Sequence, residues 1–520
     1  MTVRRRIATT LMVPAILALN VQAVHAQDAP VPAASAAGGD DNDASASAPV
    51  VTHHTGIFHG KKISYTATAG RLPVLAPDGS VDAQVFYVAY TMDGAKPGSR
   101  PLTFLSNGGP GAATAWLHLG GIGPRKIAMN ADGTTPPSPA RIIDNPDSPL
   151  DRTDLVFIDA PGTGFSRLSG TAAKGRLLTK QGDLDAFASF IQGYLRQYSR
   201  FGSALYLFGE SYGSFRMAGL SDVLIRRGVP VKGTILLSSA LDFTTLSPGL
   251  TNDLPYMLDI PSYASISAYH HLLDPSLTDS DALRAEAEKW AIEVYGPALA
   301  KGNSLSSQER ETVVRGLVRY TGLPVDVIEM NNLRIDIQDY MKWLNATRGV
   351  VTGRTDGRMV GPAPAGRVEE PFYDPAMGSM TPAFTSAASQ YLFGELKFET
   401  KLPYRMYSRD VAERFQLGPP VVYGNDGYPE TLGALQSTLV KDKSFRVLSV
   451  QGVYDLATPY MSMKYTLSHM PLPADYQRNV RFVLVRGGHM AYADSVGLRA
   501  LTDAVVSFID EDSVGSASAR

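Results

Sequence analysis

The 520-residue sequence contains no cysteine, which excludes disulfide bonds, thiolate metal sites and cysteine nucleophiles. It also lacks an excess of either charge, since 48 basic and 50 acidic residues give a formal net charge of −2. That balance favours neither a nucleic-acid nor an anionic-membrane partner. No phosphate-binding loop or dinucleotide fingerprint is recognisable. The adjacent pairs His53-His54 and His270-His271 are interpreted as surface residues, because neighbours on a helix do not share a face. The sequence therefore predicts no cofactor and no metal.

A long apolar run is missing everywhere except near the start of the chain. Arginines at positions 4–6 precede a mostly apolar stretch, which ends in the small-x-small pattern Val24-His25-Ala26. Pro14 and Asn20 interrupt this stretch, and the uninterrupted part is too short to cross a bilayer comfortably. We therefore expect residues 1–26 to be a cleaved signal peptide, with an N-terminal membrane anchor as the alternative. The mature protein is expected in the periplasm or the medium, without stable membrane association.

Short apolar segments alternate with helical patterns through much of the remaining chain. Asp183–Tyr198, for example, places four large apolar residues on one face at helical spacing. Alternating strands and helices predict an α/β fold with a mostly parallel sheet covered on both faces. The predicted strands are Val85–Tyr90, Leu102–Leu105, Leu155–Ile158, Leu205–Phe208, Thr234–Leu237, Arg446–Val450 and Phe482–Val485.

The distribution of these patterns predicts the domain organisation. Residues 27–50 are rich in small and polar residues and are expected to form a flexible lead-in. Residues 51–245 and 419–512 contain the strands and form the two parts of an α/β core. Residues 246–418 have helical patterns at Ser280–Trp290 and Ser307–Tyr320 and few strand signals. We interpret them as a cap inserted into the core, because strands return afterwards; an independent second domain is the alternative. A flexible tail is expected at residues 513–520.

The apolar run Tyr206–Phe208 breaks into Gly209-Glu210-Ser211-Tyr212-Gly213, a G-x-S-x-G pattern with a predicted strand before it and a helix after it. The glycines permit a turn so tight that a Cβ next to the serine would clash. Such an elbow exposes the serine hydroxyl at the head of the helix. The pattern predicts a serine hydrolase with Ser211 as its nucleophile.

A serine nucleophile needs a base, and the base needs an acid that orients it. After Ser211 the chain supplies both in the order Ser, Asp, His that α/β-hydrolases use. Asp455 follows the predicted strand at Arg446–Val450, and His489 follows the one at Phe482–Val485. Carboxyl ends of parallel strands share one edge of a sheet, so the three side chains are expected to meet there. Each residue alone has an ordinary structural interpretation; their conjunction predicts a catalytic triad.

The tetrahedral intermediate requires hydrogen-bond donors for its oxyanion. One is predicted to be the backbone N–H of Tyr212, directly after the nucleophile. The second is expected from the loop after an early strand, and Asn107-Gly108-Gly109-Pro110-Gly111 follows the predicted strand at Leu102–Leu105. A plain Gly/Pro turn is the alternative for this loop taken alone.

Taken together, these motifs resemble the serine carboxypeptidases, which remove C-terminal residues from peptides and have an α/β-hydrolase fold with an inserted cap. The likeness extends over about residues 102–492. The motifs that carry it are Asn107–Gly111, Pro161–Ser166, Gly209–Gly213, Asp455 and Gly488–Met490.

The resemblance implies roles beyond the triad. The Gly109 N–H would join the Tyr212 N–H in the oxyanion hole. Asn107, the Gly108 N–H and Glu210 would bind the terminal carboxylate of a peptide substrate. A protonated glutamic acid can donate a hydrogen bond to a carboxylate, whereas an ionised one repels it. Activity is therefore expected to favour acidic pH and to fall as Glu210 ionises; the alternative is that Glu210 only fills the variable position of the elbow.

The sequence also departs from the family. Ala112 stands where characterised members have a cysteine, and Ala491-Tyr492 replaces the residues that usually follow His-Met. These changes affect specificity more than mechanism, and the terminal side chain that the enzyme prefers is not predicted. The alternative functions are a serine esterase, amidase or acyltransferase of the same fold, or an inactive binding protein. The composition indicates no particular oligomeric state.

Overall fold

The computed structural model describes residues 48–135, 139–363, 373–418 and 428–517. The predicted signal peptide at residues 1–26 and most of the predicted lead-in at 27–50 lie outside these ranges. Among the helices in the described ranges, none combines the length and apolar character needed to cross a membrane.

Ten of the strands in this part of the chain form one sheet, and the other four form two small antiparallel ribbons, β5·β6 and β11·β12. The strands are β1 (Val50–Phe58), β2 (Lys61–Leu75), β3 (Val81–Met92), β4 (Leu102–Ser106), β5 (Arg125–Ile127), β6 (Ile142–Asp144), β7 (Asp154–Ile158), β8 (Arg167–Leu168), β9 (Leu205–Glu210), β10 (Gly233–Leu237), β11 (Val350–Thr352), β12 (Val360–Pro362), β13 (Arg446–Gly452) and β14 (Val480–Val485).

The main sheet has the strand order β1-β2-β3-β7-β4-β9-β10-β13-β14, with the short β8 beside β3. From β7 to β14 every neighbouring pair is parallel. The first three strands and their junction with β7 are antiparallel. Each of the seven predicted strands lies within one strand of this sheet, and the predicted α/β class is confirmed.

Helices follow most of the parallel strands, and most of the others lie between β10 and β13. The α-helices are α1 (Ala115–Leu117), α2 (Gly170–Leu177), α3 (Lys180–Gln197), α4 (Tyr212–Arg226), α5 (Leu254–Tyr269), α6 (Asp281–Trp290), α7 (Gly296–Lys301), α8 (Ser307–Thr321), α9 (Val325–Met330), α10 (Ile337–Trp343), α11 (Pro375–Ser389), α12 (Arg409–Arg414), α13 (Leu432–Lys441), α14 (Tyr460–Ser468), α15 (Ala474–Gln477) and α16 (Ser495–Ala517). Short 3-10 or π turns lie at His118–Ile122, Pro149–Asp151, Phe243–Thr245, Ala291–Tyr295, Gly302–Ser304, Ala346–Arg348, Gln390–Glu395 and Ala491–Ala493. Helix α16 extends to Ala517, and the flexible tail at residues 513–520 stays a prediction.

The central strands are buried on both faces because their side chains alternate between two apolar clusters. In β9, Tyr206 and Phe208 pack into the cluster that includes α16. Leu205 and Leu207 point the other way, into the cluster that includes α3 and α4. This two-sided burial explains why the strands are nearly continuous apolar runs in the sequence.

The long hairpin β1–β2 is not among the predicted strands, the first of which is Val85–Tyr90. Its two-residue turn consists of His59 and Gly60, both at positive φ (46° and 77°), which suits the twist of a tight hairpin. Residues of β1 alternate between partly buried and exposed, and four of the nine are Thr or His. That polarity is why an apolar strand signal is weak there.

The chain between β10 and β13 is mostly helical and has its own apolar cluster, formed mainly by α5 to α10. Val453, Tyr454 and Leu456, which surround Asp455, belong to that cluster. The helical segment therefore packs directly on the loop after β13. The boundaries 246 and 418 of a cap insertion stay a prediction.

Candidate active site

Ser211 lies at the turn between β9 and α4, where its backbone adopts φ 60° and ψ −131°. This conformation is unfavourable for a residue with a side chain. The Ser211 N–H donates to the Leu237 carbonyl of the next strand at 3.0 Å, which holds the turn in place. Gly209 permits the close approach, since a Cβ there would lie 2.1 Å from the Gly213 carbonyl oxygen. The elbow leaves Ser211 partly exposed at the N-terminus of α4.

Asp455 and His489 follow β13 and β14, and their side chains are in contact. His489 Nδ1 lies 2.8 Å from Asp455 Oδ2. The Thr458 hydroxyl donates to the same oxygen at 2.7 Å, and the backbone N–H groups of Ala457 and Thr458 donate to Oδ1 at 2.7 and 3.0 Å. These donors hold the Asp455 carboxyl group in place beside the ring. A carboxylate in this position accepts the Nδ1–H of the imidazole, which leaves Nε2 able to act as a base.

The elbow and the histidine loop meet at two adjacent residues of the sheet edge. Leu237 accepts the hydrogen bond from Ser211, and the Ser238 hydroxyl donates to the His489 carbonyl at 2.6 Å. Within the described ranges, the Ser211 hydroxyl forms no hydrogen bond with the His489 side chain. Catalytic hydrogen bonds are often long without substrate and tighten in the complex. The structure thus joins Asp455 to His489 and brings Ser211 to the same edge of the sheet.

The loop after β4 lies against the first turn of α4. A Cβ at Gly108 would be 2.4 Å from the Tyr212 nitrogen, so only glycine fits there. The Tyr212 N–H opens α4 and has no acceptor one turn earlier in the helix. Gly109 is exposed on the same loop. The two N–H groups predicted for the oxyanion hole therefore lie on neighbouring pieces of backbone beside Ser211, and their role remains a prediction.

Glu210, the last residue of β9, is buried with only 3% of its surface exposed. The Tyr492 hydroxyl donates to it, 2.8 Å from Oε2 and 3.1 Å from Oε1. Asn107 also donates a hydrogen bond to this carboxyl group, while its own Oδ1 accepts the Leu117 N–H at 2.9 Å. The residues predicted to bind a substrate carboxylate, Asn107, Gly108 and Glu210, are thus brought together. Tyr492 joins them and was not predicted.

Burial and charge shift the pKa values of Glu210 and His489. Burial raises the pKa of Glu210 to about 7, although the charge on His489 and the hydrogen bonds from Tyr492 and Asn107 favour its ionised form. For His489, burial disfavours the charged imidazolium, but the Asp455 carboxylate and Glu210 raise its pKa above the ordinary value. The pKa of Glu210 is therefore well above that of an ordinary glutamate, so this group keeps its proton to a higher pH.

A family model described as serine carboxypeptidase matches residues 65–345, just over half of the chain. The chain belongs to the serine carboxypeptidase family. The matched range includes Ser211, Glu210 and the loop after β4, and it ends before Asp455 and His489.

One curated protein resembles this chain in sequence, and one solved structure resembles it in fold. Serine carboxypeptidase-like 26 of Arabidopsis thaliana is 27% identical over 197 residues, which are 36% of this chain and 41% of that protein. The chain thus matches about two fifths of the length of this curated relative. The structure of Kex1, a prohormone-processing carboxypeptidase from Saccharomyces cerevisiae, superposes with a TM-score of 0.53 at 17% identity, covering 86% of this chain and 91% of that one. The second similarity confirms the predicted α/β-hydrolase fold.

Residues 353–359, which we call the strap, contact the loops that contain Asp455 and His489, and no sequence motif predicts this contact. The Thr355 carbonyl accepts the His489 N–H at 2.6 Å, and the Arg354 carbonyl accepts the Leu456 N–H at 3.0 Å. Asp374 in turn accepts the N–H groups of Arg354 and Thr355 at 3.2 and 2.9 Å. A single segment of the mostly helical region thereby holds the histidine loop and the aspartate loop together.

The far end of the strap is also fixed. Arg358 Nη2 bridges Asp356 at 2.6 Å and Asp494 at 2.8 Å, and Asp494 caps the start of α16. The His270 Nε2 lies 2.8 Å from the Gly357 carbonyl oxygen. His270, interpreted from the sequence as a surface residue, is half-buried at its contact with the strap. No periodic sequence pattern marks such an irregular segment.

Proposed function

We propose that this protein is a serine carboxypeptidase that releases the C-terminal residue of a peptide through an acyl-enzyme on Ser211. The observation that carries the proposal is the position of Glu210. It is a buried carboxyl group adjacent in sequence to the nucleophile, and the pKa of Glu210 is raised to about 7. An acid that is neutral at this point of the site suits a substrate whose charged end is a carboxylate.

In the acylation step, Ser211 Oγ attacks the carbonyl carbon of the last peptide bond while His489 Nε2 takes the hydroxyl proton. Asp455 stabilises the imidazolium that forms, and the N–H groups of Gly109 and Tyr212 bind the oxyanion. His489 then donates its proton to the leaving nitrogen, and the C-terminal residue departs with a free amino group. In the second step His489 takes a proton from water, and the water oxygen attacks the acyl carbon. His489 then returns that proton to Ser211 Oγ as the acyl–oxygen bond breaks, and the shortened peptide departs.

The substrate's terminal carboxylate would be bound by the Glu210 carboxyl proton, the Asn107 amide and the Gly108 N–H. This interaction requires Glu210 to be protonated, so activity on free-acid peptides is expected to decline above about pH 7. Activity also requires neutral His489, which imposes an acid limb. Glu210 and His489 influence each other's charge, so neither limb of the pH profile can be assigned to one of them alone. Each apparent pKa describes the coupled titration of both groups.

The test is a pH series of C-terminal residue release from N-blocked dipeptides with several terminal residues. Each peptide is paired with its C-terminal amide, and Ser211→Ala is the control. Release that needs the free carboxylate and Ser211, and that is lost at alkaline pH, supports the proposal. Equal turnover of acid and amide, still dependent on Ser211, would instead indicate an esterase or amidase. If no peptide turns over and a fluorophosphonate does not label Ser211, the proposal fails.

We also propose that the protein is exported, on the basis of residues 1–26, which lie outside the described part of the chain. The N-terminal sequence of the mature protein, purified from separate cell fractions, tests this. A mature chain beginning at Gln27 in the periplasm or medium supports export. An intact N-terminus in the cytoplasm would contradict it.

A further inference from the structure

Tyr492 lies in the short turn Ala491–Ala493 after His489, and only 2% of it is exposed. Its ring packs against the turn His118–Ile122. A Cβ at Gly120 would lie 2.2 Å from Tyr492 Cε2, so this glycine leaves the space that the ring occupies. The backbone on both sides therefore fixes where the Tyr492 hydroxyl points.

That hydroxyl points at Glu210. It lies within hydrogen-bond distance of both carboxyl oxygens, at 2.8 Å from Oε2 and 3.1 Å from Oε1. Burial beside Glu210 raises the pKa of Tyr492 well above its ordinary value, so the hydroxyl keeps its proton. A phenol that stays protonated can donate to Glu210 whether that group is neutral or ionised.

We propose that Tyr492 is a positioning residue of the carboxylate subsite, which holds the Glu210 carboxyl group and sets the pH above which the enzyme stops preferring peptides with a free C-terminus. The part of the inference that concerns the pH limit rests on the proposed function, because the preference for a free C-terminus is part of that function. The first half, the hydrogen bond to Glu210, stands on the contact alone.

The direction of the effect follows from the groups that face Glu210. Tyr492 approaches from the loop after β14, and Asn107 approaches from the loop after β4. His489 and Asp455 are the charged groups that act on it, the first favouring and the second disfavouring its ionisation. A hydrogen bond donated to a carboxylate favours the ionised form. Removing the Tyr492 hydroxyl should therefore raise the pKa of Glu210 and extend activity on free-acid peptides to higher pH.

The variant that tests this is Tyr492→Phe, which keeps the packed ring and removes only the hydroxyl. We expect the alkaline limb of kcat/KM for a free-acid peptide to move up by about one pH unit, since a hydrogen bond to a charged group is of that size. KM for the free acid should rise at low pH, with kcat nearly unchanged, because the carboxyl group is held less firmly. Any residual turnover of the matched amide should not show this shift of the alkaline limb, because the amide does not need a protonated Glu210.

Tyr320→Phe is the matched control. This variant also removes a hydroxyl that donates to a glutamate, because the Tyr320 hydroxyl on α8 lies 2.9 Å from Glu286 Oε1 on α6. Its pH profile should match the wild type. In a Glu210→Gln background the side-chain amide donates at every pH. Adding Tyr492→Phe to that background should therefore not shift the pH profile of kcat/KM. A shift that persists in that background, or an unshifted profile in Tyr492→Phe alone, would overturn the proposal.

Infrared difference spectra separate this inference from the proposed function. The carboxyl band that disappears in Glu210→Gln reports the titration of Glu210 without any substrate. A higher midpoint in Tyr492→Phe supports the positioning role even if no peptide is cleaved; an unchanged midpoint overturns it. Should Tyr492→Phe fail to fold, the ultraviolet spectrum of the wild type decides. A tyrosine absorption change at the Glu210 midpoint that is absent in Glu210→Gln supports the contact, and no such change contradicts it.

Discussion

Arg216 is a charged residue at the base of the nucleophile elbow, and only 1% of its side chain is exposed. Its guanidinium donates to Asp183 at 2.7 Å and to the Asn107 carbonyl at 2.8 Å. The Tyr212 hydroxyl donates to Asp183 as well, at 3.0 Å. One buried ion pair therefore connects helix α3, the nucleophile helix α4 and the start of the loop after β4. At the scale of residues, this pair holds together the backbone segments on which the predicted triad and oxyanion hole depend.

Replacing Arg216 by methionine is expected to destabilise the protein by about 3–5 kcal/mol, because Asp183 is left buried without its cation. Urea unfolding of the variant measures the change. Arg227→Met is the matched control, since Arg227 pairs with Asp185 across the same two helices at the exposed surface. It should cost less than about 1 kcal/mol. Equal losses in the two variants would contradict this explanation.

At the scale of elements, the sheet edge alone does not assemble the site. Asp455 and His489 follow adjacent parallel strands, but the strap supplies hydrogen-bond acceptors to both loops. Gly488 makes this contact possible, since a Cβ there would lie 2.4 Å from the Thr355 carbonyl oxygen and 2.7 Å from Asp356 Cβ. The helical region thus takes part in the active site by holding the histidine loop, in addition to covering the Asp455 loop.

Gly488→Ala should push the strap and the histidine loop apart. We expect kcat/KM to fall by about 100-fold, since misplacing a catalytic group by roughly 1 Å has that effect. Gly193→Ala in α3 is the control, because no atom lies within 4 Å of a Cβ there. That variant should keep full activity and gain up to about 1 kcal/mol of stability. A fully active Gly488→Ala would show that the strap does not position His489.

The same scale explains what the sequence could and could not predict. Strands β9, β13 and β14 carry apolar residues on both faces, and each is followed within a few residues by one member of the predicted triad. Ser211, Asp455 and His489 could therefore be found from local pattern and order. The predicted helix Asp183–Tyr198 corresponds to α3 (Lys180–Gln197) for the same reason. The strap and the Tyr492 contact join segments far apart in the chain. No spacing rule relates segments so far apart, so these contacts could be identified only from the structure.

At the scale of the whole molecule, two buried acids make the free energy of unfolding depend on pH. Burial raises the pKa of Glu210 to about 7 and the pKa of Asp159 to about 6. Both pKa values are higher in the folded chain than in the unfolded one. The contribution of these groups to the free energy of unfolding is therefore fully present below their unfolded pKa values. It is lost as pH rises through about 6 to 7.

Glu210→Gln should remove one part of this pH dependence. The free energy of unfolding of the variant, relative to the wild type, is expected to rise by about 3 kcal/mol between about pH 4 and about pH 8. Urea titrations at the two pH values measure it. A difference that does not change with pH would mean that Glu210 has an ordinary pKa, which would also weaken its proposed role in binding a carboxylate.

The most direct test of the central claim is the mass of the covalent intermediate. An N-blocked dipeptide is mixed with the enzyme, quenched rapidly in acid and digested for mass spectrometry. The account predicts that the peptide containing Ser211 gains the blocked residue without the C-terminal one, and that Ser211→Ala gains nothing. An adduct on another residue, or product release without any adduct on Ser211, would contradict the account.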